Sequence, residues 1–329
     1  MRTLASIQRI KALAPIVGAD AIEKATVLGW QLVVKKGEFK VGDLAVYCEI
    51  DSLLPDRPEF EFLKARGMRI RTIRLRGEIS QGICFPLSIL PEGQELIEGA
   101  DVTEVIGVEK YEPPIPASLS GIMKGGFPGF IPRTDETRVQ VLQEMLDKYA
   151  GTQCYVTEKL DGSSVTYYLQ DGEFGVCSRN LELFESPENS LWKVARSLQI
   201  EEKLRARGGN HALQGEIVGE GIQGNLYKLR GQTVFFFNLF DITAYRFLGF
   251  AGFEAAMQEM ELQSVPVLDR AYSLISDIPQ LVALGTGRST LYNVEREGVV
   301  IRPLTETRDL MGRVSFKAIN PEFLLKHDH

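Results

Sequence analysis

"YVTEKLDGSS", residues 155–164, puts one lysine at the end of a strand-like run and follows it at once with an Asp-Gly turn. Tyr155, Val156 and Thr157 are β-branched or aromatic, so the run predicts a strand, and Asp161-Gly162 suits the hairpin after it. By itself the pattern is an ordinary strand and turn. Its company downstream gives it weight. "LQGEIVG" sets Glu216 inside an apolar strand, "EREGVVIR" sets Glu297 at the mouth of another, and "RVSFKAIN" sets Lys317 at strand alternation with Ser315. "CSRNLEL" puts Arg179 just past a strand, and "FFFNLFDI" ends an aromatic strand with Phe240-Asp241. An isolated charge in an apolar strand is costly to bury without a partner. Four strands each bring one such charge: Lys159, Glu216, Glu297 and Lys317. A shared pocket for a phosphate and a divalent metal accounts for all four, with acids holding metal or ribose and lysines holding phosphate.

Outward from this stretch, the chain reads as α+β in two domains. Further strand candidates are "SSVTYYLQ", "GEFGVCSR", "HALQGEIVG" and "TVFFFNLFDITA", while "SLWKVARSLQIEEKLRA" and "GFEAAMQEMEL" read as helices. The mixture, at hairpin-length spacings, predicts antiparallel sheets with flanking helices. In "DETRVQVLQEMLDKYAG", Val139, Leu142, Met145, Leu146 and Tyr149 recur at helical spacing, with Thr134 or Asp135 as cap and Gly151 as stop. Before that lies "EPPIPASLSGIMKGGFPGFIPRT", dense in Pro, Gly and Ser, which reads as a linker or extended segment. The first third is short strands punctuated by glycine: "WQLVVKK", "LAVYCEI", "MRIRTIRLRG" and "GICFPL". These predict a small barrel, plausibly of OB type, with SH3-like barrels also open. The expected boundaries are 1–112 for the barrel, 113–133 for the linker and 134–329 for the second domain.

Composition narrows the class. With 329 residues, 44% of them hydrophobic, the chain has ample core for two domains. No apolar run approaches the ~20 residues that span a bilayer, and Gln8, Arg9 and Lys11 interrupt the N-terminus where a signal peptide would need its apolar region. Cys48, Cys84, Cys154 and Cys177 are scattered singly, which predicts neither zinc nor disulfides and fits a reducing cytoplasm. Net charge is −7, against non-specific nucleic-acid binding. Yet Lys64, Arg66, Arg69, Arg71, Arg74 and Arg76 follow one another with no acid between them. That stripe is either a solvated strand face or a track for a phosphate backbone.

The ordered set KLDG (159–162), SRN (178–180), GEIVG (215–219), FNLFDI (237–242), EGVVIR (297–302) and SFKAIN (315–320) resembles the covalent nucleotidyltransferases: ATP-dependent RNA and DNA ligases and mRNA capping enzymes. The likeness runs from about 130 to 326. "LRGEISQGICFPL" (75–87) and "FPGFIPRTDETRVQ" (127–140) are similar to RNA ligases of the Deinococcus and Naegleria type, which carry an OB domain ahead of the transferase domain. With about nine residues after the last motif, no C-terminal OB domain is expected. The resemblance implies an adenylyltransferase domain that seals 3′-hydroxyl and 5′-phosphate ends, nicks in duplex in particular. The alternatives are an ATP-dependent DNA ligase and a GTP-using capping-type enzyme.

Roles follow from the resemblance. Lys159 is the expected nucleophile toward the α-phosphorus of ATP, and Lys317 neutralises the α-phosphate. Glu158 reads the base, while Asp161 and Gly162 shape the turn. Arg179 contacts ribose or an incoming 5′-phosphate. Glu216 and Glu297 hold ribose or the waters of Mg2+ or Mn2+. Phe240, or alternatively Phe237, stacks on adenine. Arg69, Arg71, Arg74 and Arg76 grip RNA or an RNA-containing nicked duplex. Protein partners are not legible, and no membrane is expected. Many relatives have Lys-x-Lys in the last motif, whereas here the first slot is Ser315; Arg313 could supply the missing charge, and which residue contacts the phosphate beside Lys317 is left open.

Overall fold

The computed structural model describes residues 3–112, 122–310 and 312–327. It divides into two compact units, residues 1–114 with 321–329, and residues 115–320.

The first unit is built on five strands in the order Trp30–Lys35, Ile22–Val27, Ala5–Pro15, Leu44–Cys48 and Ile83–Phe85. One long strand turns the corner: Ala5 to Arg9 pair with Leu44–Cys48, and beyond a register shift at Ile10/Ala12 the same strand pairs with Ile22–Val27. The barrel is nearly closed, because Gln81 N–H donates to the Gln31 carbonyl (2.9 Å) and Val33 N–H to Ser80 Oγ (3.0 Å). Its interior is filled by Ile7, Ile10, Trp30, Leu32 and Tyr47, all fully buried. Gly82 is required where it stands: φ is +99°, and a Cβ would lie 2.4 Å from the Tyr47 ring. The run 68–77 is mostly not strand. Ile73–Leu75 pairs in a small hairpin with Glu78–Ser80 and Arg69 makes a lone bridge to Leu53, while Pro58–Arg66 ahead of it forms a 3-10 helix.

The second unit packs two sheets. One has five strands in the order Thr137–Arg138, Phe316–Ile319, Gly298–Pro303, Gln153–Lys159 and Val267–Ser273. The other has seven, in the order Met123–Gly126, Leu181–Leu183, Glu173–Cys177, Ser163–Gln170, His211–Gly219, Gln232–Asp241 and Arg246–Phe247. Helices Ser190–Ser197, Ile200–Arg207 and Phe250–Glu259 bury Trp192, Val194, Leu204, Phe253 and Met257 against the larger sheet. Helix Ile278–Gly285 and the short helix Gln143–Tyr149 cover the back of the smaller one.

Three expectations change. The helix expected from 135 starts only at Gln143, because Thr137 and Arg138 pair in parallel with Phe316 and Lys317. Of the expected linker 113–133, residues 113–121 lie outside the described residues. Residues 123–126 form an edge strand paired with Leu181–Leu183, which the Gly-rich composition hid. The last segment groups with the barrel rather than with the second domain.

Candidate active site

Lys159 ends its strand opposite Gly298, so Glu297 arrives beside it from the neighbouring strand. Lys159 Nζ donates to Glu297 Oε2 at 2.7 Å. On its other side Gly298 lets the Phe316–Ile319 strand approach, since a Cβ there would meet the Ala318 carbonyl oxygen at 2.3 Å. Glu216 stands on the larger sheet, paired across from Ser164 and Phe235. Past Lys159 the chain presses onto that strand: a Cβ on Gly162 would lie 2.3 Å from the Ile217 carbonyl oxygen and 2.9 Å from Glu216 Cγ. Tyr227 Oη accepts the Asp161 N–H at 2.7 Å and fixes the turn.

The electrostatics mark these groups as one cluster. Burial pushes Glu216 up to about 8, with Glu297 and Asp161 adding to it against the pull of Lys159. Burial and Glu297 push Asp161 up to about 7. Burial alone would lower Lys159, but Glu297, Glu216 and Asp161 outweigh it and its net shift is upward. Lys317 goes the other way. Burial, Arg138 and Lys159 pull it down to about 7. Arg138 was not singled out from the sequence, although it lies in "TDETRVQ"; parallel pairing sets it beside Lys317.

The Ser315 slot has a specific answer. Arg302, 3% exposed, donates to Ser315 Oγ (2.8 Å), Glu136 Oε1 (2.7 Å) and the Phe237 carbonyl (3.0 Å), so it links the two sheets. Ser315 Oγ in turn donates to Glu136 at 2.8 Å. Arg313 does not take the slot. Ser315 N–H bonds back to the Arg313 carbonyl, which breaks the strand alternation. Arg313 instead holds Glu306 with both arms, bonds Asn238 and lies 3.8 Å over the Phe247 ring.

Other placements correct the sequence reading. Phe240 is 1% exposed, edge-on to Tyr245 and Phe247 and packed with Ile131, Tyr168 and Ile242, so no ring face is offered to a ligand. Phe237 is the one that packs toward Leu160, Val218 and Tyr227 beside Lys159. Glu158 alternates to the strand face opposite Lys159. There it is 1% exposed, and its Oε2 accepts from Thr290 N–H (2.9 Å) and Oγ1 (2.8 Å). These bonds tie it to the segment that leads to Glu297, while its Oε1 is buried without a hydrogen-bond partner. Arg179 is exposed on its turn and paired with Asp135. In the barrel, Arg69 is buried, pairs with Asp51 (3.3 Å) and stacks on Tyr111 (3.9 Å), so it is structural. Arg74 holds Glu322 and the Gly77 carbonyl, Arg71 is half-buried, and Arg76 is exposed at φ +48°.

Comparison with known proteins decides the class. A family model described as RNA ligase matches residues 152–319, and one described as an OB-fold domain matches residues 4–87. The chain is 42% identical to Naegleria gruberi RNA ligase with PPi, covering 100% of this chain and 99% of that one at a TM-score of 0.92. The chain belongs to the RNA ligase family. Two mutants of the Naegleria gruberi ligase, one with ATP and Mn and one with AMP and Mn, are 41% identical, with TM-scores of 0.92 and 0.91. Each comparison covers 99% of this chain and 99% of the other. No curated protein matches. The α+β reading is borne out, and the choice among small barrels falls to the OB fold. Among the described residues of this ligase, no helix is long and apolar enough to cross a membrane.

Proposed function

We propose that this RNA ligase uses ATP to seal 3′-hydroxyl and 5′-phosphate ends at nicks in duplex, in three transfers. Lys159 Nζ forms a bond to the α-phosphorus as the bond to pyrophosphate breaks. AMP then passes from Lys159 to the 5′-phosphate. Last, the 3′-hydroxyl attacks that phosphate and AMP leaves. The observation that carries the reading is Lys159 paired at 2.7 Å with Glu297 in a cluster with Glu216, Asp161 and Lys317. The Naegleria relatives with ATP, AMP and Mn support the same chemistry.

Each residue's part follows from its surroundings. Attack needs a neutral amine, yet the carboxylates keep Lys159 protonated before ATP arrives. Glu297, in hydrogen-bond contact, is placed to take that proton, and repulsion from a charged Lys317 favours its loss. Lys317 then neutralises the α-phosphate oxygens, whose negative charge raises its proton affinity again. Phe237 stacks on the base, and Arg179 exchanges Asp135 for a phosphate or ribose.

The residues fit a divalent cation. Glu216 and Asp161 reach about 8 and about 7 partly because three carboxylates crowd one ammonium, an imbalance that Mg2+ or Mn2+ would relieve. Among the described residues no three acids converge into a ready-made cage, which suits an ion held by one or two carboxylates, water and nucleotide phosphates. Glu216 and Glu297 are the side chains that would hold it, and when bound it supplies charge neutralisation at the phosphates.

The test is a labelled nick in duplex with a ribose or a deoxyribose 3′-hydroxyl, given ATP or GTP. Sealing of the ribose nick with ATP is expected. Sealing of the deoxyribose nick alone would replace this reading with a DNA ligase, and use of GTP alone with a capping-type enzyme.

A further inference from the structure

The segment 219–231, "GEGIQGNLYKLRG", runs from the Glu216 strand to the next strand and is built around the Lys159 turn. Tyr227 holds the Asp161 N–H, and Gln223 Nε2 donates to the Gly162 carbonyl at 3.4 Å. Its path is fixed. Asn225 Nδ2 donates to the Leu229 carbonyl (2.9 Å), its Oδ1 accepts the Leu229 N–H (3.1 Å), and Glu220 N–H bonds the Gly231 carbonyl (2.9 Å). Gln223, Asn225 and Lys228 all sit at positive φ, between +43° and +53°, a conformation that side-chain-bearing residues adopt only when surroundings impose it.

On this rigid segment Lys228 and Arg230 are exposed. Elsewhere in the unit Arg196, Arg205, Arg207 and Arg270 each hold a glutamate, while Lys203 bonds the Glu261 carbonyl instead. Among the described residues Lys228 and Arg230 hold no acid. The segment's one carboxylate, Glu220, is exposed and takes neither of them. Two unpaired cations on a net-acidic chain, on a segment bonded directly to the residues after Lys159, are placed for a polyanion that must reach that lysine.

We infer that Lys228 and Arg230 bind backbone phosphates of the RNA strand being sealed, and that segment 219–231 is an RNA-docking surface of the second unit. This rests on the RNA-ligase reading above. It moves part of the RNA grip from the barrel stripe, where Arg69 and Arg74 are engaged, to the rim of the active site.

The experiment measures affinity for a nicked RNA duplex across a salt titration. The proteins are the wild type, Lys228→Ala/Arg230→Ala, the charge-keeping Lys228→Arg/Arg230→Lys, and Lys203→Ala/Arg246→Ala as an equal loss of charge elsewhere. The alanine pair should bind at least about tenfold more weakly at low salt. Its log-log salt slope should be shallower by up to about 1.8, from about 0.9 per phosphate contact. The charge-keeping pair should retain the wild-type slope, which separates charge from folding. An unchanged slope in the alanine pair, or equal flattening in the Lys203/Arg246 control, overturns the inference. Wild-type protein that takes AMP from ATP yet shows no salt-dependent affinity for the duplex overturns the RNA-ligase reading, and this surface with it.

Discussion

Gly162→Ala should disable the first chemical step by moving the Lys159 turn. Gly162 is not in the left-handed region, so the demand is for space alone. The added methyl would sit 2.3 Å from the Ile217 carbonyl oxygen, 2.8 Å from Val218 Cγ1 and 2.9 Å from Glu216 Cγ, where ordinary contact begins at 3.4 Å. Relief requires the turn and the Glu216 strand to part by about 1 Å, and the nearest obstacle is backbone that cannot rotate away. Overpacking of this kind costs about 1–3 kcal/mol. For a unit of this size that lowers the melting temperature by roughly 2–12 °C. The same displacement separates Lys159 from Glu216, and about 1 Å of misplacement costs on the order of 100-fold in rate. The assay is the single-turnover rate of AMP attachment alongside a thermal melt, with Gly129→Ala as control because its Cβ meets nothing within 4 Å. Attachment at the wild-type rate in Gly162→Ala would refute the reasoning.

Further predictions concern the charges. Glu136→Ala leaves Arg302 buried without its carboxylate and should cost about 3–5 kcal/mol, read as a lower urea midpoint with unchanged m. Folded Glu216 keeps its proton to about 8, whereas an unfolded glutamate releases it near 4.5. The folded protein therefore binds more protons between those values and loses stability as pH rises through them. Glu216→Gln should melt above wild type at pH 8, with the gap closing toward pH 4.5, and Mn2+ should stabilise wild type more than the variant. Lys317, pulled down to about 7, carries its charge only below that pH in the free enzyme. The kcat/KM for ATP should show a limb that falls above pH 7, and Lys317→Arg should remove that limb because an arginine stays charged.

The site was legible where one charge stood alone in an apolar strand. Lys159, Glu216, Glu297 and Lys317 each broke a hydrophobic pattern, and only a common pocket explained all four. The aromatic strand was not legible in the same way. Phe235, Phe236, Phe237 and Phe240 look alike in sequence, and their faces are settled by a register shift at Gln214/Gly215 and by Tyr245 and Phe247 covering Phe240 from another segment. Arg69 failed for a similar reason: Asp51 and Tyr111, which bury it, are far off along the chain. Glu158, adjacent to Lys159 in sequence, lies on the opposite face of its strand, where Thr290 holds one of its two oxygens. The Ser315 departure pointed to Arg313 on alternation that a local turn interrupts, while Arg302 came from the neighbouring strand.

The central claim is that Lys159 is the nucleophile. Intact mass after incubation with ATP and Mg2+, on protein first freed of carried-over AMP, tests it most directly. Wild type should gain one AMP, and Lys159→Ala should gain none while keeping its melting temperature within a few degrees. An adduct that persists in Lys159→Ala, or no adduct on the wild type, would contradict the account.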